Sequence, residues 1–375
     1  MKDLQKRTWA EISLDNIRHN YRSIRNSLPE GCKFLGVVKA DAYGHGAVPV
    51  SRLLEQEGAD YLAVSCLDEA LELRENGIKM PILILGHTPA RYTDLLLDNN
   101  ITQTVSCLAK ALEYSERAQF YGGELKIHIK LDTGMSRLGF LCVGKHFEEG
   151  VENVARSCQL PGLYAEGIYT HFAVSDECDE ESRDYTHEQF KVFSEFTQKL
   201  EERMGRRLDL YHCANSGCVV NYPGFELDMV RPGLLLYGYG DSTKRFDLKP
   251  CMRLVTTVST IKFYEENTSV SYGRHYVTSQ RCRMGVLPIG YADGLPRLIS
   301  NKCSFAVKGG FAPQRGNICM DMCMVDLSNL PQVDVGSEVE LFGSENCLCK
   351  LSDAAMTIPY ELLCAVSKRV PRVYK

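Results

Sequence analysis

Phe34-Leu35-Gly36-Val37-Val38-Lys39-Ala40-Asp41-Ala42-Tyr43-Gly44-His45-Gly46 is the stretch from which the fold is read. An apolar run of strand length ends on a lysine, and a glycine-punctuated turn follows. A lysine at the end of a buried strand is poorly solvated. Desolvation lowers an ammonium pKa, and a neutral amine can attack a carbonyl carbon to form a Schiff base. Glycines just beyond it permit a tight turn and a close backbone approach to a ligand. Taken alone, the segment reads better as a lysine leaving a strand into water, since most lysines are solvated. The neighbouring segments decide between the two.

Outward from this strand the pattern repeats. Apolar runs recur at Phe34–Val38, Tyr61–Val64, Ile82–Leu85, Thr102–Val105, Leu125–Leu131, Leu163–Tyr169, Leu208–His212 and Leu227–Val230. Between them lie helical patterns such as Val50, Leu53, Leu54 and Phe190, Phe193, Phe196, Leu200. Eight alternations of strand and helix predict an α/β fold, a (β/α)₈ TIM barrel. A doubly wound open sheet is the alternative, but no Gly-x-Gly-x-x-Gly follows the first strand. Upstream, Asp15 is placed to cap a helix whose apolar face is Ile17, Tyr21, Ile24 and Leu28. Residues 8–14 alternate like a strand and are expected to pair with a second domain. The barrel is therefore assigned to residues 1–240 and a mainly β domain to 241–375, opened by a loop over 241–250. Its strands are read at Leu254–Phe263, Met284–Ile289, Ser304–Val307, Cys323–Asp326 and Glu338–Phe342, with a closing helix over Tyr360–Ser367.

A chain of 375 residues exceeds one ordinary core, which agrees with two domains. A formal net charge of -5, with basic residues dispersed, argues against a nucleic-acid partner. No apolar run is long enough to span a membrane. The segment 1–14 has charges but no apolar core of a secretory signal, so a cytoplasmic location is expected. The 16 cysteines include no Cys-x-x-Cys pair and no histidine-flanked cluster. They read as free thiols of a reducing compartment, with no metal site.

In a (β/α)₈ barrel, chemistry collects at the C-terminal strand ends. Here those ends carry Lys39, Lys130, Asp132, His171, His212 and Arg231. Solvent-exposed exits would explain charges, but not this preference for His, Lys and Arg. Asn215-Ser216-Gly217 follows the seventh strand, and Arg231-Pro232-Gly233-Leu234 follows the eighth. Small residues there expose backbone N–H groups and a hydroxyl, which suits a phosphate. A phosphate site and a Schiff-base lysine at one mouth point to pyridoxal 5'-phosphate. The second domain carries Val270-Ser271-Tyr272-Gly273, Gly290-Tyr291-Ala292-Asp293-Gly294, Cys319-Met320-Asp321 and Ile358-Pro359-Tyr360-Glu361. Each alone is ordinary turn chemistry. Tyr272 stands out because a phenol with a depressed pKa can serve as an acid–base group.

Together these segments resemble the alanine racemases. Val38–Gly46 is similar to the family's cofactor-lysine motif, and Lys130–Gly139, Thr170-His171-Phe172, Asn215-Ser216 and Met229–Gly233 follow in the family's order, as do the second-domain motifs. The resemblance covers nearly the whole chain. It implies a (β/α)₈ barrel, a β domain and a head-to-tail homodimer whose active sites are shared between subunits. It implies that Lys39 carries the cofactor and is one catalytic base, with Tyr272 of the partner subunit as the other. It implies that Arg231 faces the pyridine nitrogen, His212 bonds Arg231 and His171 supports Tyr272. Tyr43, Asn215, Ser216, Gly233, Leu234 and Tyr360 would hold the cofactor, and Arg137 and Met320 the substrate. Lys130, which is often carbamylated in such proteins, Tyr291 and Asp321 would support the site. Tyr291, Arg297, Asp176 and Ile358 match the residues that line the approach. Asn317 departs from the pattern, since many relatives carry arginine there, and the charge of the outer approach is expected to differ.

The implied activity is interconversion of L- and D-alanine, supplying peptidoglycan. A serine or broader-specificity racemase is the nearest rival; the bulk of Tyr360 favours alanine. A non-catalytic pyridoxal-phosphate carrier would share the lysine but lack the β domain and Tyr272. A pyridoxal-phosphate decarboxylase of similar build would show an acidic pocket, and none is seen.

Overall fold

The computed structural model describes residues 7–241 and 245–375. Residues 1–6 of the leader reading and 242–244 of the loop read over 241–250 lie outside the described residues. The chain divides into two compact units. One is Arg18–Ala42 with Ala47–Leu248, and the other is the N-terminal segment through Ile17, Tyr43–Gly46 and Lys249–Lys375.

The first unit is a parallel barrel. Its strands are Lys33–Val37, Tyr61–Val64, Ile82–Ile84, Ile101–Val105, Leu125–Asp132, Leu163–Tyr169, Leu210–His212 and Met229–Val230. Neighbours pair in parallel in chain order, and Met229–Val230 returns to pair with Lys33 and Phe34. The last seam is closed by isolated bonds rather than a ladder. Asp228 N–H donates to Tyr211 O at 3.0 Å and Arg231 N–H to Ala214 O at 2.9 Å. The strands are almost wholly buried because helices cover the outside and side chains fill the inside. The helices form where the apolar spacing is 3.6: Val50, Leu53 and Leu54 are buried in Ala47–Glu57, and Phe193, Phe196 and Leu200 in Glu180–Met204. The latter starts at Asp179, whose carboxylate accepts Ser182 N–H at 2.9 Å, and ends at Gly205 in the left-handed region. The (β/α)₈ expectation is borne out.

The second unit centres on a nine-stranded sheet. Thr8–Ile12 runs antiparallel to Met252–Thr257 and parallel to Arg372–Tyr374. The run read as Leu254–Phe263 is two strands, Met252–Thr257 and Thr260–Tyr264. The first pairs with Glu338–Phe342 and the second with Cys282–Leu287, so the chain changes partner at Val258-Ser259. Alternation of side chains carries no trace of such a change. Gly310–Arg315 escaped the reading because it contains Gly310 and Pro313, and Arg372–Tyr374 because it is only three residues long. The helix Leu348–Ala354 was also unread, and the closing helix spans Pro359–Ala365.

At the N-terminal helix, Leu14–Arg25, the cap is Ser13 and not Asp15. Ser13 Oγ accepts Asn16 N–H at 3.1 Å, which leaves Asp15 in the first turn. Ile17, Tyr21 and Ile24 form its buried face, while Leu28 lies beyond its end. None of the 16 cysteines, all of them among the described residues, is joined in a disulfide. No helix among the described residues is long and apolar enough to cross a membrane, and no cluster of metal-ligating side chains occurs among them.

Candidate active site

Lys39 leaves the first barrel strand half-buried, and the chain then does something unusual. Ala40, Asp41, Ala42 and Tyr43 all have φ between 53° and 54°, a left-handed turn of non-glycine residues. Each such residue costs roughly 1–2 kcal/mol, so the surroundings must impose the shape. Within the barrel unit, Glu69 accepts the N–H of Ala40 at 2.6 Å and of Ser65 at 2.7 Å. Asp41 accepts Ala47 N–H at 2.7 Å, and Ala42 N–H bonds Val38 O at 2.8 Å. The expectation that Gly44 and Gly46 make the turn is corrected. They are required for a different close approach, to the chain's own C-terminal segment. A Cβ on Gly44 would lie 2.4 Å from Leu363 O, and one on Gly46 1.9 Å from the Tyr374 hydroxyl.

Around this mouth the barrel strands present cations. Arg231 is 4% exposed. Its guanidinium donates to Thr170 O at 2.7 Å, to His212 Nδ1 at 3.0 Å, to Cys213 O at 3.1 Å and to His171 Nδ1 at 3.4 Å. Lys130 is 6% exposed, donates to Leu131 O at 3.0 Å and lies 5.1 Å from the centre of the Tyr169 ring. Burial, then the Arg231 charge, brings its pKa down to about 7, and Arg137 adds to the fall while Asp132 opposes it. His171 is pushed well below the usual imidazole range by burial and then by Arg231, Lys130, Arg137 and Lys39. Lys39, Lys130, Arg137 and Arg231 thus act on one histidine. A site that gathers two arginines and two lysines and holds its histidines neutral suits an anionic ligand.

A hydrogen-bonded chain runs back from Arg231. Since Arg231 donates to His212 Nδ1, the neutral His212 carries its proton on Nε2. That nitrogen lies 2.9 Å from His128 Nδ1, and His128 Nε2 lies 3.0 Å from Glu166 Oε2. Every proton therefore points from Arg231 toward Glu166. Burial would raise the Glu166 pKa, but His128, Lys126 and Tyr61 lower it further, so the carboxylate stays ionised. His128 and Glu166 were missed by the sequence reading. The available signal was parity, since Lys126, His128 and Lys130 alternate on one strand. A Cβ on Gly167 would lie 2.8 Å from His128 Cε1, so the ring needs that glycine.

The phosphate-like segment is built as follows. Asn215 Oδ1 accepts Cys218 N–H at 3.0 Å and the Ser175 hydroxyl at 2.7 Å. Ser216 Oγ accepts the N–H of Gly233 at 2.9 Å and of Leu235 at 3.3 Å. The loops after the seventh and eighth strands are thereby tied together. The Gly233 amide, expected to face a phosphate, is spent on Ser216. With its lone pairs engaged, the Ser216 hydroxyl keeps its own proton to donate to an anion.

The second unit holds the remaining candidates. Tyr43 and Tyr360 pack with ring centroids 5.8 Å apart. Burial, with Tyr360 nearby, raises the Tyr43 phenol far above its usual value, so it remains a proton donor. Tyr272 is 72% exposed on a turn of its own. Tyr291 and Met320 sit on two turns locked face to face. Tyr291 N–H bonds Cys319 O at 3.0 Å and Ala292 N–H bonds Met320 O at 3.0 Å. Arg369 ties the same turns, donating to Asp293 at 2.7 Å and Asp321 at 2.8 Å.

The neutral histidines make the barrel acid-sensitive. His171 and His212 titrate well below 6.5 in the fold and near 6.5 unfolded, so the unfolded chain binds more protons below that pH. Stability is full above this value and falls as the pH drops through it. Two such groups should cost about 2–3 kcal/mol between about pH 7.5 and about pH 5.5. Urea unfolding followed at both pH values measures this loss.

A (β/α)₈ mouth bearing a strand-end lysine, buried basic side chains and a serine-tied glycine loop defines a barrel suited to an anionic ligand. The comparisons with known proteins give the family. The model of the alanine racemase N-terminal domain matches residues 12–241, and that of the alanine racemase C-terminal domain matches 251–374. An alanine racemase of Clostridium perfringens (strain SM101 / Type A) is 44% identical over 98% of this chain and 95% of its own length. Among solved structures, the alanine racemase of Clostridium difficile 630 is 41% identical, with a TM-score of 0.91 over 98% of this chain and 95% of its own. That protein is also similar in its complex with cycloserine, with a TM-score of 0.89, 40% identity, and coverage of 98% of this chain and 95% of its own. The chain belongs to the alanine racemase family.

Proposed function

We propose that this protein interconverts L- and D-alanine with pyridoxal phosphate bound through Lys39, in the cytoplasm, as a homodimer whose subunits share each active site. The observation that carries the reading is the cation set Lys39, Lys130, Arg137 and Arg231 acting on a neutral His171, beside a serine hydroxyl with a proton to give. That donor set fits a phosphorylated pyridine and a substrate carboxylate. Ser216, Leu234, Tyr43 and Tyr360 would hold the phosphate end, Asn215 and Gly233 would fix the loops that present Ser216, Arg231 would face the ring nitrogen, and Arg137 and Met320 would bind the substrate. When bound, the cofactor makes the substrate Cα proton acidic by drawing off its electron pair.

The chain's own residues do the rest. Lys39 Nζ takes or returns the Cα proton on one face, and the Tyr272 hydroxyl of the partner subunit does so on the other. Arg231 keeps its proton at any working pH and leaves the ring nitrogen unprotonated. Arg231 at one end and the ionised Glu166 at the other fix the tautomers of His212 and His128 between them. The unprotonated amine of Lys130, whose pKa is brought to about 7, would add carbon dioxide and release one N–H proton to solvent, and the resulting carbamate would orient Arg137. Tyr291 and Asp321 support the approach. By the family resemblance the bulk of Tyr360 would leave room for a methyl side chain. This favours alanine over serine, and Tyr272 argues against a non-catalytic carrier.

The test is racemisation of a panel of L-amino acids by the purified protein, with and without added pyridoxal phosphate. Alanine should be the preferred substrate, with full activity only on loading. Lys39→Ala should lose both turnover and the visible absorbance of the loaded enzyme. An unchanged spectrum in that variant, or no racemisation of any amino acid, would overturn the reading.

A further inference from the structure

The turn that carries Tyr272 cannot hold itself. Ser271 has φ 67°, Gly273 φ 70° and Arg274 φ 55°, so three of the four residues over 271–274 lie in the left-handed region, and two of these have a Cβ. Such a turn persists only where its surroundings over-determine it. Tyr272 itself is mostly exposed, so its ring contributes little to fixing the backbone.

The restraint comes from one residue. Asn317 is 5% exposed. Its Nδ2 donates to Tyr272 O at 2.7 Å and to His275 Nδ1 at 3.2 Å. Its own carbonyl accepts the Ser271 hydroxyl at 2.6 Å. Asn317 therefore grips the turn before, at and after the tyrosine. Asn317 is in turn held by its neighbours. Gln314 Nε2 donates to Gly316 O at 2.8 Å, Gly316 N–H to Asn301 Oδ1 at 2.6 Å, and Ile318 N–H to the Ser300 hydroxyl at 3.0 Å. Gly316 lets the segments approach, since a Cβ there would lie 2.8 Å from Ser271 Cβ. Asn317 brings no charge where many relatives carry arginine, and its side chain is buried with its donors used inside the fold.

We propose that Asn317 is the positioning residue for the second base, fixing through the Tyr272 carbonyl where the phenol is presented. The proposal rests on the reading of Tyr272 as a proton-transfer group. Asparagine supplies in one planar amide two donors for Tyr272 and His275, while its main-chain carbonyl serves Ser271. Aspartate has the same shape but no donor, so it would leave the Tyr272 carbonyl facing a carboxylate oxygen.

The experiment uses loaded holoenzyme in deuterium oxide, with L- and D-alanine offered separately. Inversion is read by a chiral assay and Cα deuterium uptake by proton NMR. Asn317→Asp and Asn317→Ala should each lower inversion on the order of 10- to 100-fold, mostly in kcat, since a base displaced by an ångström loses that much. Deuterium uptake without inversion should persist for one enantiomer, because the Lys39 face is untouched. A merely structural defect would lower uptake and inversion together, and that result overturns the proposal. So does inversion at the parental rate. Tyr272→Phe run alongside separates the failures. Inversion surviving in Tyr272→Phe overturns the assignment of Tyr272 and this proposal with it. Inversion lost there but kept in Asn317→Asp overturns this proposal alone.

Discussion

Tyr272→Phe should lose inversion by about 10²- to 10⁴-fold, the usual worth of a positioned acid–base group. The change removes one oxygen from a side chain that is 72% exposed, so folding is unaffected and the cofactor absorbance stays. The equilibrium between mirror-image substrates is fixed at unity, so kcat/KM falls equally from both sides. The asymmetry appears elsewhere. In deuterium oxide, one enantiomer should still exchange its Cα proton through Lys39 and return to itself, while the other exchanges poorly. Exchange lost equally from both enantiomers would contradict two opposed bases.

Arg231→Ala should destabilise the barrel by about 3–5 kcal/mol, the upper range for a single substitution. The guanidinium serves Thr170 O, Cys213 O and His212 Nδ1 inside a barrel that admits little water, and its removal orphans these acceptors. A second consequence has the opposite sign. Arg231 is the leading charge holding His171 and His212 below the usual imidazole range. Without it their pKa values rise toward 6.5, and the stability lost between about pH 7.5 and about pH 5.5 should shrink below the ~2–3 kcal/mol of the parent. The variant is thus weaker at neutral pH and less sensitive to acid. Urea titrations at the two pH values read both effects, and an undiminished acid loss would refute the electrostatic account.

Much of this was legible in the chain. Alternation of apolar runs with helical spacing is a local property, and it gave the barrel strands to within a residue or two. The strand-end position of Lys39, Lys130, His171, His212 and Arg231 followed from the same count. The reading failed where the deciding contact was distant. It made one strand of Leu254–Phe263 because a change of partner leaves the alternation intact. It gave the sharp turn after Lys39 to glycines, whereas Glu69 and Asp41 hold four non-glycine residues in the left-handed region. It read Asn317 only as a missing charge at the outer approach, since the burial and partners of a polar residue cannot be seen from its neighbours in sequence.

The sequence by itself determined that this is a barrel with a β domain, and which residue types crowd its mouth. Side-chain periodicity encodes which segments become strands, and barrel topology places their ends together. Only the tertiary structure decided how those residues are wired. His128 and His212 are 84 residues apart and meet at 2.9 Å, which sets the tautomer of each ring and the direction of every proton from Arg231 to Glu166. Ser216 ties down Gly233 and Asn317 grips Tyr272 by hydrogen bonds short in space and long in sequence. Such bonds depend on distance and angle after the chain has closed on itself, and no local pattern records them.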